Sequence, residues 1–144
     1  MSIEQMLAEH PHVRPETDNV SLRNAVREMM ITAAICNSCA DACVAEPMDM
    51  RQCVRLCMDT ADVCTAAYRI ASRRTGGDRQ LIRTMLAACF EASIRCADEC
   101  EFHGDAHGHC RRCAAVCREC AEACRLALLV LNEEAHHDSH HVAH

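Results

Sequence analysis

Apolar and small side chains recur every three or four residues along four long stretches of the chain, with charged residues between them. This spacing places the apolar side chains on one face of a helix. It predicts long helices over about 21–45, 49–74, 78–103 and 106–134, and a short helix over 2–10. Pro47, the pair Gly76 and Gly77, and Gly104 end the first three long helices. Because the loops are short, we predict an all-α fold: an antiparallel up-down-up-down four-helix bundle with a short extra N-terminal helix.

Length and composition favour one helical domain over residues 1–144. A chain of 144 residues can bury a core but is short for two domains. Aromatic residues make up 2% of it, whereas the helix-favouring residues alanine, leucine and methionine are common. Residues 135–144 are rich in histidine and have no core pattern, so we expect a disordered tail there.

Charge and hydropathy argue against nucleic acid and membrane partners. The net charge is −6, and the 15 lysine and arginine residues are scattered without forming a basic run. The longest apolar run, LALLVL at 126–131, is too short to cross a bilayer. The N-terminus has acidic residues where a secretory signal would be basic. We therefore expect a cytoplasmic protein, whose thiols stay reduced.

Cysteine forms the inward stripe of every predicted long helix. In CRRCAAVCRECAEAC, residues 110–124, steps of three and four residues keep five cysteines on one helix face. Disulfides within a helix would be strained, because these steps separate Cβ atoms by about 5–6 Å and a disulfide needs about 3.5–4.5 Å. The pattern predicts a column of free thiols along the bundle axis. The candidate metal ligands are Cys36, Cys39, Cys43, Cys53, Cys57, Cys64, Cys89, Cys96, Cys100, Cys110, Cys113, Cys117, Cys120 and Cys124.

Further candidate ligands lie near two loops, 45–48 and 101–109, that an up-down bundle places at the same end. We call this end the mouth. The candidates are Met48, Met50, His103, His107 and His109. Thioether and imidazole groups there would be the first to meet an incoming metal. For His107 and His109 the alternative is that they are polar loop residues beside Gly104 and Gly108 without a metal role.

Thiolate with some thioether and imidazole is a soft ligand set, which selects Cu(I), zinc or iron-sulfur clusters. Zinc prefers one closed tetrahedron per ion, whereas these thiols form a continuous column on rigid helices. Two-coordinate Cu(I) linked by bridging sulfurs fits that column, and a narrow bundle leaves little room for iron-sulfur clusters. The alternatives are a zinc or iron-sulfur binding protein and a thiol or copper redox enzyme. A thiol enzyme needs one accessible activated thiol, and no CxxC stands apart here, so we expect no catalysis.

The segments CNSCADAC, CVRLCMDTADVC, CFEASIRCADEC and CRRCAAVCRECAEAC together resemble the cytosolic copper storage proteins of bacteria. The resemblance covers about residues 21–134. It implies a homotetramer whose subunits each store many Cu(I) ions in the bundle core, with histidine and methionine at the open end handling entering copper. We expect copper chaperones or low-molecular-weight thiols to donate or accept the copper. Neutral thiols should let the empty bundle fold, and loading should then release protons.

Overall fold

The structure, a computed structural model, describes residues 2–13 and 19–142, and their side chains up to residue 136. Within these residues it contains helices and no strand. The helices are α1 (Ile3–Ala8), α2 (Val20–Val44), α3 (Arg51–Ala71), α4 (Arg79–His103) and α5 (Gly108–Val142). The helix α2 packs against α3 and α5, α4 packs against the same two helices, and α1 lies on α2. The predicted all-α four-helix bundle with a short N-terminal helix is confirmed.

Polar side chains cap three of the helix N-termini. Ser2 and Gln5 form a reciprocal capping box at α1, Asn19 Oδ1 accepts from the Leu22 amide of α2 at 2.8 Å, and Asp78 Oδ1 accepts from the Leu81 amide of α4 at 3.0 Å. Each cap satisfies amides that have no partner within the helix. These local signals fix where the helices start, whereas the spacing of cysteine and apolar residues determines which side faces the bundle axis.

Contacts between cysteines show that neighbouring helices run antiparallel. From α3 to α4, the Sγ atoms of Cys64 and Cys89 lie 3.0 Å apart, and those of Cys53 and Cys100 lie 3.7 Å apart. A residue later in α3 thus pairs with one earlier in α4. From α2 to α5, the corresponding pairs are Cys36 with Cys117 at 3.6 Å and Cys43 with Cys110 at 3.9 Å.

Two boundaries differ from the sequence prediction by more than two residues. The helix α5 continues to Val142, so the last helix does not end near residue 134, and the backbone of 135–142 is helical where we expected a disordered tail. No glycine or proline follows Gly108 to stop the helix. The helix α3 ends at Ala71, three residues before the expected end, and Gly76 then takes a positive φ of 61° in the loop to α4.

The bundle core has two halves. At the end away from the mouth, buried aliphatic side chains, among them Leu22, Val26, Met29 and Leu86, surround the deepest thiols. Towards the mouth, the buried core consists almost wholly of cysteine, with small alanines and Met50. No helix within the described residues is both long enough and apolar enough to cross a membrane.

Candidate metal centre

All fourteen cysteines of the chain are free thiols whose side chains point into the bundle. Each is at most 3% exposed, and most are fully buried. Neighbouring Sγ atoms from different helices approach to between 3.0 Å (Cys64 and Cys89) and 4.0 Å (Cys57 and Cys113). The predicted column of inward-facing free thiols is therefore what the structure contains.

The thiols form overlapping groups in which all Sγ atoms lie within 4.8 Å of one another. Several cysteines, for example Cys57 and Cys100, belong to two groups at once. Five of the groups are Cys36–Cys96–Cys113–Cys117, Cys39–Cys43–Cys53–Cys110, Cys39–Cys53–Cys57–Cys100, Cys57–Cys96–Cys100–Cys113 and Cys64–Cys89–Cys120. Shared membership means that one sulfur can bridge two ions, as in a polynuclear thiolate cluster.

Burial favours the neutral form of these thiols. Loss of hydration raises the pKa of Cys110 to about 12, and the same cause raises the pKa of Cys43 above its ordinary value. A hydrogen bond with Cys113 is the main cause that raises the pKa of Cys36. At neutral pH Cys36, Cys43 and Cys110 are uncharged thiols that pack like small hydrophobic groups. Hydrogen bonds from neighbouring thiols, that of Cys100 first, lower the pKa of Cys39.

Among the described residues, His109 is the histidine that contacts the thiols. Its Nδ1 atom lies 3.5 Å from the Sγ atoms of both Cys39 and Cys110, and 4.0 Å from Cys43 Sγ. Its Nε2 atom lies 3.1 Å from Glu46 Oε1. The hydrogen bond with Cys39, and then that with Glu46, raises the pKa of His109 above its ordinary value. His109 thus forms the outermost contact of the thiol column.

The rings of His103, His107 and His109 are connected by successive ring contacts. The rings of His107 and His109 are 5.7 Å apart, and those of His103 and His107 are 6.4 Å apart. His107 Nδ1 lies 3.1 Å from Glu46 Oε1, and His103 Nε2 lies 3.2 Å from the Glu99 carboxylate. The structure therefore brings all three predicted histidines to the mouth.

The two predicted methionines take different positions. Met50 is 3% exposed and packs with the mouth thiols, whereas Met48 is 49% exposed. Both line a surface cavity of about 570 Å³ that reaches Cys43. Their thioethers are near the thiols, and their role as ligands stays a prediction.

Glu46 was missed at the sequence level. It lies in the loop after α2, and its Oε1 atom is within 3.1 Å of nitrogen atoms of both His107 and His109. Hydrogen bonding to His109 is the main cause that lowers the pKa of Glu46. Only the neighbouring Pro47 marked this loop in the sequence, and the separation of 63 positions between Glu46 and His109 conceals their contact.

Comparison with known proteins finds similar solved structures, among them three of copper storage proteins, and one matching family. The structure resembles that of the copper storage protein Ccsp from Streptomyces lividans loaded with 10 copper equivalents, with a TM-score of 0.84 and 38% identity over 89% of this chain and 98% of the other. A histidine-to-alanine variant of Ccsp gives a TM-score of 0.77 and 41% identity over 79% and 97% of the two chains. A cytosolic copper storage protein from the same organism, with five coppers, gives a TM-score of 0.74 and 42% identity over 76% of this chain and 92% of the other.

Among curated proteins, none matches the chain. The model of the copper storage protein family matches residues 18–129, which include every cysteine of the bundle. With this match and these relatives, the buried thiol column is accounted for: the chain belongs to the copper storage protein family.

Proposed function

We propose that this chain stores several Cu(I) ions in its core, bound by the thiolates of its fourteen cysteines. The observation that carries the proposal is the column itself, in which fourteen free thiols on four helices lie within contact distance of one another. The solved relatives are described as copper storage proteins loaded with 10 or five coppers. We place the activity in the cytosol, where thiols stay reduced.

The overlap between the thiol groups favours Cu(I) over zinc. A structural zinc ion takes four ligands in a closed tetrahedron. Cys57 and Cys100 each belong to two groups of four, so neighbouring groups cannot all be filled by separate ions with their own ligands. Cu(I) accepts soft thiolate ligands at low coordination number, and a thiolate can bridge two ions. The same crowding disfavours iron-sulfur clusters, which also need sulfide between the helices.

Neutral thiols explain how the core can exist without metal and still bind it. A buried thiolate without a counter-charge would be costly, so the empty core holds protonated sulfur. When Cu(I) binds, each new thiolate releases a proton, and the positive ion balances the negative sulfur. The burial that raises the pKa of Cys110 therefore couples copper loading to proton release.

The mouth supplies the first ligands that an incoming ion meets. We propose that His109 receives Cu(I) first, because its Nδ1 atom already lies 3.5 Å from Cys39 and Cys110. His103, His107, Met48 and Met50 would assist from positions further out or beside the thiols. Copper chaperones and low-molecular-weight thiols are the proposed donors and acceptors of the ion.

A storage role is also favoured over catalysis. A redox enzyme attacks its substrate with an exposed, activated thiolate. Each cysteine here is at most 3% exposed, which keeps substrates larger than an ion away from the sulfur. We further propose that the chain is one domain and assembles as a homotetramer, for which exposed apolar side chains such as Phe102 at 83% and Leu129 at 47% offer contact surface.

An anaerobic titration tests the storage proposal. The reduced, metal-free protein is titrated with Cu(I) in competition with a cuprous chelator, and bound copper is measured by metal analysis. We expect several Cu(I) ions per chain, with helical circular dichroism unchanged between the empty and loaded forms. A titration that ends at one ion per chain, or tighter binding of zinc than of Cu(I), would exclude the proposal. Light scattering of the same samples measures the oligomeric state.

A further inference from the structure

Histidine recurs near the end of α5, in a stretch that takes no part in the thiol column. The sequence EEAHHDSHH, residues 133–141, has histidine at four of its last six positions. The match to the copper storage protein family ends at residue 129, so this stretch lies beyond it. Neither the family match nor the buried thiols account for these histidines.

The helix arranges these residues in two rows. The backbone of α5 is helical as far as Val142, and residues four positions apart on a helix lie on one face, with Cβ atoms about 5–6 Å apart. One row contains His136 and His140, and the other contains Glu133, His137 and His141. At about 100° per residue, the five positions together span about 140° of the helix circumference. The two rows are therefore neighbours on one side of the helix.

Histidines four positions apart on a helix are an arrangement that binds metal in other proteins. In the zinc motif HExxH, two histidines with this spacing bind one ion from the same helix face. The pair His136 and His140 has this spacing, and so does the pair His137 and His141. Glu133 precedes His137 by four positions, so a carboxylate, which is a further zinc ligand, continues the second row. The spacing predicts an ion held between successive turns of α5.

The core does not explain why this end of the helix persists. Leu131 is 5% exposed and is the last buried residue among those whose side chains the structure describes. Asn132, Glu133 and His136 are exposed. Helical turns without apolar packing are marginally stable in water. An ion held between these turns would stabilise them, so metal binding and helix stability are coupled here.

This end of α5 is remote from the mouth. Glu134 lies 3.9 Å from Arg79 at the start of α4, the helix whose other end lies at the mouth. The last cysteine of the chain, Cys124, precedes His136 by 12 positions, or about 18 Å of helix. An ion bound by the histidines therefore shares no ligand with the thiol column.

Imidazole and carboxylate select other metals than thiolate does. Imidazole suits zinc, nickel and divalent copper, and carboxylate suits harder ions still. The carboxyl end of a helix also carries partial negative charge, which attracts cations. Glu133 and Asp138 add negative charge in the same stretch. A divalent transition-metal ion fits this environment, and Zn²⁺ binds such ligands without redox chemistry.

We propose that the end of α5 is a second metal site, which binds Zn²⁺ through the pair His136 and His140 and the pair His137 and His141. The site goes beyond Cu(I) storage and does not depend on it. On binding, Zn²⁺ exchanges coordinated water for imidazole nitrogen, and no oxidation state changes. The site differs from the bundle core in its ligands, its position and the class of metal that it selects.

Calorimetric titration with Zn²⁺ tests the proposal. Reduced protein is first loaded anaerobically with Cu(I), and metal analysis before and after the titration verifies that the copper stays bound. We expect saturable Zn²⁺ binding by the loaded protein. The double substitution His140→Ala and His141→Ala breaks both pairs and should weaken this binding at least about tenfold, since loss of a group that merely orients a metal ligand already costs that much.

A proline substitution tests whether the helix is needed. Ser139→Pro keeps all four histidines but breaks the helix within each pair, so it should weaken Zn²⁺ binding as well. Ser139→Ala, the matched control, keeps the helix and should bind Zn²⁺ like the native chain. Amide hydrogen exchange across 135–142 gives a second readout, which Zn²⁺ should slow in Ser139→Ala but not in Ser139→Pro. These positions lie beyond the buried core, so each variant should fold, and circular dichroism verifies it.

Each outcome supports the site or overturns it. Weaker Zn²⁺ binding by the double histidine variant and by Ser139→Pro, with Ser139→Ala unaffected, supports it. Absence of saturable binding overturns it, and so does binding that is unchanged in the double histidine variant. Equal affinity of Ser139→Pro and Ser139→Ala overturns the pairing of histidines on a helix. The metal-free proteins are titrated in parallel, so that failure of the core to take up Cu(I) counts against storage alone.

Discussion

Glu46 accepts a hydrogen bond from His109, with 3.1 Å between Oε1 and Nε2. An ionised carboxylate can only accept, so the proton of the neutral imidazole lies on Nε2. In this neutral form Nδ1 carries no hydrogen and directs a lone pair towards Cys39 and Cys110, each 3.5 Å away. In the protonated form, which the contacts with Cys39 and Glu46 favour, Nδ1 donates to sulfur. Glu46 thus fixes both the orientation and the tautomer of the outermost group of the thiol column.

This relationship predicts the effect of changing Glu46. Glu46→Ala removes the acceptor and should slow the binding of the first Cu(I) equivalents about tenfold, a typical loss when the hydrogen-bond partner of a metal ligand is removed. Glu46→Gln keeps an oxygen acceptor and should slow it less. Stopped-flow loading with substoichiometric Cu(I) measures both rates.

The matched control is Glu99→Ala. Glu99 contacts His103 at 3.2 Å, and the ring of His103 is connected to that of His109 through the ring of His107. The Glu99 variant should therefore load its first equivalents at nearly the native rate. Equal slowing by Glu46→Ala and Glu99→Ala would show that the loading rate depends on the negative charge at the mouth. The orientation of His109 would then not control that rate.

Copper loading should release protons and tighten as the pH rises. Because burial raises the pKa of Cys110 to about 12, its thiol is protonated in the empty protein throughout about pH 6–8. Each proton displaced by one ion increases the apparent affinity about tenfold per pH unit. Chelator competition at several pH values gives this slope, and proton release into a weakly buffered solution gives the count directly. An affinity independent of pH would contradict neutral thiols in the empty core.

The bundle and its thiol column could be predicted from the sequence because both depend on local periodicity. The spacing of Cys110 to Cys124 places five thiols on one helix face, and Pro47 and Gly76 mark the ends of helices. Ligand type also followed directly, since thiolate selects soft metals whatever the exact distances. These features need no knowledge of which side chains meet across the bundle.

Features that depend on contacts between distant residues could not be predicted. Glu46 meets His109 although they are 63 positions apart in the sequence, and Cys57 meets Cys96 only because α3 and α4 adopt one register. The helical backbone beyond residue 134 was missed because the polar sequence there has no core periodicity, although it also has no residue that stops a helix.

The metal-free protein should lose stability in alkaline solution. The folded state raises the pKa of Cys110 from its ordinary value of 9.0 to about 12, so the unfolded state gives up this proton first. The stabilising contribution is fully present below about pH 9 and is lost as the pH rises towards 12. Urea unfolding at increasing pH measures the trend, which Cys110→Ser should weaken. A free energy of unfolding that stays constant or rises over this interval would be the contrary result.

Truncation of the apolar half should affect stability without affecting copper capacity. Leu86 is fully buried among aliphatic side chains at the end of the bundle away from the mouth, whereas Leu81, on the same helix, is 46% exposed. Leu86→Ala should lower the free energy of unfolding by about 2–5 kcal/mol, through lost burial and the cavity that remains. Leu81→Ala should change it by about 0.5 kcal/mol or less. Urea unfolding of the metal-free variants gives both values, and metal analysis should find the native number of Cu(I) ions in each. An equal loss of unfolding free energy at the two positions would show that the end away from the mouth is not packed as a core.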